Sequence, residues 1–139
     1  MAKAARRHTS QTRRFVMPAL LDTCVLLDVL RGDVAALRAT RALAEKPYVC
    51  AVSLMELYAG VKSQREEARV DRLLAMFYWA PIDTSVYRHA GHFLRHYHAS
   101  HGIDAPDALI AATVEHHGLT LATLNVKHFP MLKGLKPAY

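Results

Sequence analysis

The chain has 139 residues, 52% hydrophobic and 22% charged, which is one globular domain's worth of sequence and too apolar for a chain that stays unfolded. The formal charge is +6, but Lys3, Arg6, Arg7, Arg13 and Arg14 precede Met17 with no acid among them. Residues 17–139, with 13 basic and 12 acidic side chains, are therefore almost neutral. Residues 1–16 are polar, basic and aperiodic and read as a disordered arm. Arg13-Arg14-Phe15-Val16 resembles the start of a twin-arginine export signal, but Asp22 ends the apolar run early and no A-x-A cleavage site follows. From there residues 17–139 read as one domain. Residues 19–21 form a short apolar run ending on an acid, which predicts a buried strand. Residues 25–30 are predicted helical and broken at Arg31-Gly32-Asp33, and 34–45 form a second helix stopped by Pro47. Residues 48–52 are a second apolar, β-branched strand. Helices are expected at 53–61 and 66–77, then a strand at 78–82 weakened by Pro81. A long helix is expected at 84–100 and another at 105–117, closed by Gly118. A fourth strand is expected at 120–123, and a short fifth edge strand at 135–136.

Strands that alternate with helices and are nearly all apolar predict an α/β domain. Its centre is a mostly parallel sheet of four to five strands with helices on both faces. No run of about 18 apolar residues is present to span a membrane. Cys24 and Cys50 lack CxxC spacing and read as reduced thiols of a cytoplasmic protein.

The acids fall where such a sheet places its sites, outside the carboxyl ends of the strands. Asp22 follows the first strand, Glu56 is expected in the first turn after the second, Asp107 in the first turn of the helix near Ala105, and Asn125 follows the fourth strand. Each has an ordinary structural explanation. Ser53 to Glu56 fits a capping box, and Asp104 with Asp107 puts an N-cap acid ahead of another favoured by the helix dipole. Asp22 is harder to explain this way, because an acid flanked by apolar sequence costs desolvation unless something compensates. Converging carboxylates repel, and the repulsion favours a hard cation such as Mg²⁺ or Mn²⁺, which suits oxygen ligands and phosphodiester chemistry.

Four segments carry a family resemblance. Leu20-Leu21-Asp22-Thr23 with Val25-Leu26 resembles the opening of PIN-domain nucleases, and Val52-Ser53-Leu54-Met55-Glu56-Leu57-Tyr58-Ala59-Gly60 resembles their second acidic segment. Asp107-Ala108-Leu109-Ile110-Ala111-Ala112-Thr113 resembles the third and is the most specific, and Leu121-Ala122-Thr123-Leu124-Asn125-Val126-Lys127-His128-Phe129 resembles the fourth. Within these nucleases the short length and these strings look most like the VapC toxins of bacterial toxin–antitoxin pairs. The resemblance implies a PIN-like fold and a Mg²⁺- or Mn²⁺-dependent endoribonuclease that leaves a 5′-phosphate. It also implies RNA as substrate, a small antitoxin protein as inhibitor, and pairing into homodimers. It carries Asp22, Glu56 and Asp107 over as catalytic, metal-binding acids. Asn125 falls at the fourth catalytic position, which is Asp in some members and Asn in others. Asp104 is a further candidate ligand, with the N-cap role favoured. Cys24 departs from the Asn that commonly follows Asp-Thr, and a thiol is a weak donor for orienting Asp22. The alternative is a catalytically degenerate PIN-fold module that binds RNA or protein. A nucleotide-binding or phosphatase reading lacks GxxxxGK[ST], GxGxxG and a second Asp at position 24.

His89, His92, His96, His98 and His101 crowd one helix, but no HExxH accompanies the i, i+4 pair His92 and His96, so the reading is a solvated face. Lys127 and His128 are candidate phosphate contacts or ordinary surface. Leu54, Leu57, Tyr58, Leu73, Leu74 and Phe77 read as core, with a groove for an antitoxin helix as the alternative.

Overall fold

The computed structural model describes residues 17–139, and the arm expected over residues 1–16 lies outside the described residues. The first half of the chain runs β1 (Ala19–Leu21), α1 (Thr23–Leu30), α2 (Val34–Arg41), β2 (Tyr48–Val49), α3 (Ala51–Gly60) and α4 (Gln64–Leu74). The second half runs β3 (Tyr78–Trp79), α5 (Thr84–His101), α6 (Ala105–His116) and β4 (Thr120–Ala122), followed by a 3-10 turn at Val126–His128. A helix pair separates each strand from the next, so every strand returns to the sheet in the same direction. Leu20 pairs with Tyr48, Leu21 with Ala122 and Val49 with Trp79, all parallel. The sheet order is β3-β2-β1-β4. The chain builds outward from β1 through β2 to β3, then α5 and α6 carry it back to lay β4 on the other side of β1. The carboxyl ends of β1 and β4 are thus the point where the winding reverses, and a crevice opens there in sheets of this kind.

Leu20 and Leu21 are neighbours on a strand and point to opposite faces. Leu20 packs with Val86, Ala90, Ile103 and Ile110 under α5 and α6. Leu21 packs with Val25, Leu26, Leu57 and Leu74 under α1, α3 and α4. Both faces are covered, which is why the strands read as unbroken apolar runs.

Four expectations are corrected. The second strand stops at Val49, because Cys50 is already the extended N-cap (φ −126°, ψ 163°) of a helix that begins at Ala51. Ser53 is therefore not an N-cap, and Glu56 lies beyond the first turn of α3. The third strand ends at Trp79, two residues before the proline that limits it. The fifth strand is absent among the described residues, because Gly134 in the left-handed region (φ +74°) and Pro137 bracket its two residues. Leu57, Leu73, Leu74 and Phe77 are buried core, while Leu54 and Tyr58 are half-buried against them.

Candidate active site

Asp22 is the hinge between β1 and α1. Its backbone N–H still donates across the sheet to the Ala122 carbonyl at 2.9 Å, while its Oδ1 caps α1 by accepting from the Thr23 N–H at 2.8 Å. Its Oδ2 accepts from the Thr123 hydroxyl at 2.7 Å. The residue is 5% exposed. A carboxylate at that depth is costly without donors, and these two strong ones offset the cost. Cys24 Sγ lies 3.5 Å from the same Oδ2 and 3.6 Å from the Thr123 hydroxyl. Orientation of Asp22 thus falls mainly to Thr123, and the thiol adds a weak contact.

Glu56 projects from α3 toward the same junction, where its Oε1 accepts from the Thr23 hydroxyl at 2.8 Å. Thr23 has one hydroxyl hydrogen, so the Ser53 hydroxyl at 2.9 Å must donate to it. Ser53 is fully buried, and Thr23 is the partner that satisfies its hydroxyl. Across the sheet switch, the Asn125 backbone N–H donates to the Thr123 hydroxyl oxygen at 3.0 Å, and its carbonyl accepts from the His128 N–H at 3.0 Å. The Asn125 side chain is exposed and caps nothing.

Asp104 and Asp107 form a reciprocal capping box at the start of α6. Asp104 Oδ1 accepts from the Asp107 N–H at 3.0 Å, and Asp107 Oδ2 accepts from the Asp104 N–H at 3.4 Å. Asp104 is thus the N-cap. His128 Nδ1 stands 3.5 Å from Asp107 Oδ2. Thr23, Thr123 and His128 link Asp22, Glu56, Asn125, Asp107 and Asp104 into one chain of contacts. The sequence did not single out either threonine. Thr123 directly follows β4 and Thr23 opens α1 one residue past Asp22, each within a motif read for its acid, and that position is the available signal.

Asp107 has its pKa pushed up to about 6, first by burial and then by hydrogen bonding and like charge from Asp104; its backbone contacts and His128 oppose this only in part. Burial pushes the Cys24 thiol above its ordinary range, so at neutral pH it is a neutral S–H and not a soft thiolate ligand. Among the described residues, no three His, Cys, Asp or Glu side chains already close on a common point as a metal cage. The donors nevertheless fit a hard divalent cation. They are all oxygen, they belong to three carboxylates and an amide, and Asp107 stands in a charge-deficient position that a cation would relieve.

The PIN domain family matches residues 19–131. Ribonuclease VapC10 of Mycobacterium tuberculosis is 44% identical over 124 residues, covering 86% of this chain and 92% of that protein. Ribonuclease VapC19 of the same species is 37% identical over 124 residues, covering 86% of this chain and 98% of that protein. Among solved structures, a toxin–antitoxin complex from Klebsiella pneumoniae superposes with a TM-score of 0.75 at 28% identity, covering 87% of this chain and 98% of that one. A DNA-bound VapBC from Salmonella typhimurium shares the fold, with a TM-score of 0.69 at 23% identity over 88% of this chain and 97% of that one. On the matched residues and on the identity to both ribonucleases, the chain belongs to the PIN-domain family and, within it, to the VapC ribonucleases.

Proposed function

We propose that this chain is a divalent-cation-dependent endoribonuclease toxin, held in check by an antitoxin, with Asp22, Glu56, Asp107 and Asn125 as its catalytic side chains. The observation that carries the reading is the contact chain that joins these four residues across the sheet switch, in a protein whose relatives are ribonucleases. Asp22, Glu56 and Asp107 would hold Mg²⁺ or Mn²⁺, with the Asn125 amide oxygen beside them and Asp104 kept as a cap. When bound, the ion supplies charge that offsets the build-up on a phosphodiester under attack and lowers the pKa of a water. Thr123 and the Thr23 N–H fix the rotamer of Asp22, so its free lone pairs are aimed before substrate arrives. Thr23 does the same for Glu56. His128 and Lys127, both exposed at the rim, meet the RNA phosphates. Attack of water on phosphorus with loss of the 3′-oxygen leaves a 5′-phosphate.

The structural neighbour from Klebsiella pneumoniae is a toxin–antitoxin complex, which supports an antitoxin for this chain. We place its segment in the 460 Å³ recess lined by Leu27, Leu30, Leu57, Val61 and Val70, because Glu56 stands on its edge and a helix seated there would reach the acids. Pairing of two copies belongs to the same proposal.

The test is cleavage of a fluorescent RNA by the purified chain in Mn²⁺ or Mg²⁺. Asp22→Asn and Asp107→Asn each lower kcat by about 100-fold or more while circular dichroism and melting hold, and EDTA abolishes cleavage. A folded Asp22→Asn protein that cuts at the full rate overturns the reading.

A further inference from the structure

Helix α5 carries no acidic side chain over its 18 residues; its charge-bearing groups are Arg88, Arg95 and five histidines. Its rings form a row one helical turn apart, tilted or edge-on to one another. His89 and Phe93 have centroids 4.4 Å apart, Phe93 and Tyr97 6.4 Å, and Tyr97 and His101 5.7 Å, with His96 edge-on to Tyr97 at 4.5 Å. The i, i+4 spacing puts them in one row on one face. Part of that row lines a recess of about 540 Å³, where the Arg95 guanidinium donates to His92 Nδ1 at 2.6 Å.

Core packing explains only half of this. Phe93 and Tyr97 rest on the core under α5 and α6, but Arg95, His96 and His101 are exposed. Glu115 of α6 faces His89 at 3.1 Å, at the end of the row remote from the acids. The other end leads to them. Gly102 stops α5 in the left-handed region at φ +64°, His98 Nδ1 lies 2.9 Å from the Ile103 carbonyl, and Asp104 then caps α6. Two residues separate His101 from Asp104.

We propose that this row is a stacking track that guides an unpaired RNA segment along α5 to the acids at the start of α6. The proposal rests on the ribonuclease reading of those acids. Ring faces accept any base, and Arg88 and Arg95 match a phosphate backbone, whereas a duplex hides the base faces the track needs. The absence of acids along α5 suits a polyanion, and the rings favour one with exposed bases over an acidic peptide.

The experiment uses the full chain in EDTA, so that binding is read without cleavage. The probes are a fluorescein-labelled single-stranded oligouridine and an RNA duplex of equal length. Combined Arg95→Ala, His96→Ala and His101→Ala substitutions lie at exposed positions outside the catalytic set. They weaken single-strand binding by about tenfold or more, weaken duplex binding much less, and leave the melting temperature and the kcat at saturating RNA unchanged. Tyr97→Leu retains the apolar contact and removes the ring, and it shifts single-strand affinity in the same direction. Unchanged single-strand affinity, or an equal loss on duplex, overturns the track. So does a change of oligomeric state in sedimentation, which would make α5 an interface between copies. If the triple variant loses single-strand affinity while the unsubstituted chain cuts nothing in Mn²⁺, the ribonuclease reading fails and only the single-strand binding by α5 stands. If it cuts while the triple variant binds as well as the parent, the track alone fails.

Discussion

Asp107 shows how a single position combines structural and chemical demands. As the third residue of α6 it completes a capping box, yet burial and Asp104 together push its pKa up to about 6. A raised acid pKa means that the folded chain holds this proton more tightly than the unfolded one. The stabilisation is present below the ordinary aspartate value of 3.8 and is lost as pH rises through about 6. A cation and a proton compete for the same oxygens, so Mn²⁺ affinity should fall by up to about tenfold per pH unit below about 6. Asparagine caps a helix as well as aspartate does, so Asp104→Asn removes the like charge and keeps the cap. Its Mn²⁺ affinity, followed calorimetrically from pH 5 to 8, should begin to fall at a lower pH than the parent's, with little change in melting. An unchanged limb would show that burial alone sets the proton affinity of Asp107. Asp22 is legible in the sequence because a carboxylate flanked by apolar residues has few ordinary explanations, whereas Glu56 and Asp107 also read as helix-start acids and stand out only through the family resemblance. Thr123 is not legible, because its partner Asp22 is 101 residues away and a lone threonine after a strand carries no charge or periodicity to betray it.

At the scale of elements, the strand-to-helix junction at Asp22 is the feature on which the site depends. β1 is only three residues long, and the same carboxylate that ends it begins α1. The two roles can be separated by substitution. Asp22→Asn keeps a carbonyl oxygen for the Thr23 N–H, so the cap survives while the charge is lost. Asp22→Ala removes the cap and strands the Thr123 hydroxyl in a buried position. It should cost about 2 kcal/mol, read as a fall in Tm of roughly 4–8 °C, whereas Asp22→Asn stays near the parent. Equal melting of the two variants would show that the cap contributes nothing. The alternation of helices and apolar runs made the parallel sheet legible, because two-sided burial leaves no other pattern. Element ends were less so. The apolar stretch through Cys50 and Val52 reads as strand by composition, but Val52 is buried as a helix residue in α3, and Ser53 suggested a cap while it was a buried donor to Thr23. The 135–136 edge strand failed for the opposite reason: its composition fitted, but glycine and proline on either side left nothing to pair. The strand order was beyond the sequence, because it depends on where α5 and α6 carry the chain and no local pattern records that crossing.

For the whole molecule, a basic excess is a common mark of nucleic-acid binding, but here most of it lies apart from the candidate site. The excess of basic over acidic side chains is +6, and five of the basic residues precede Met17. The domain that carries the acids is almost neutral, so its chemistry depends on where its carboxylates stand and little on a general attraction for RNA. Affinity and cleavage should therefore be separable. Residues 1–16 should contribute a short-range, salt-sensitive attraction, because each basic side chain that meets a phosphate releases a counterion. Removing them should raise the Kd for RNA. It should also flatten the plot of log affinity against log salt by up to about 3.5, the value for five phosphate contacts on a single strand. The truncated chain retains β1, α1 and every acid named above, so kcat at saturating RNA in Mn²⁺ should match that of the full chain. The measurement is paired: RNA binding in EDTA from about 50 to 200 mM salt, and single-turnover cleavage at saturating RNA. An unchanged salt slope would show that the basic segment does not meet phosphate. A large fall in kcat at saturation would move part of the reaction centre outside residues 17–139, against the proposed placement of the catalytic side chains at the switch between β1 and β4.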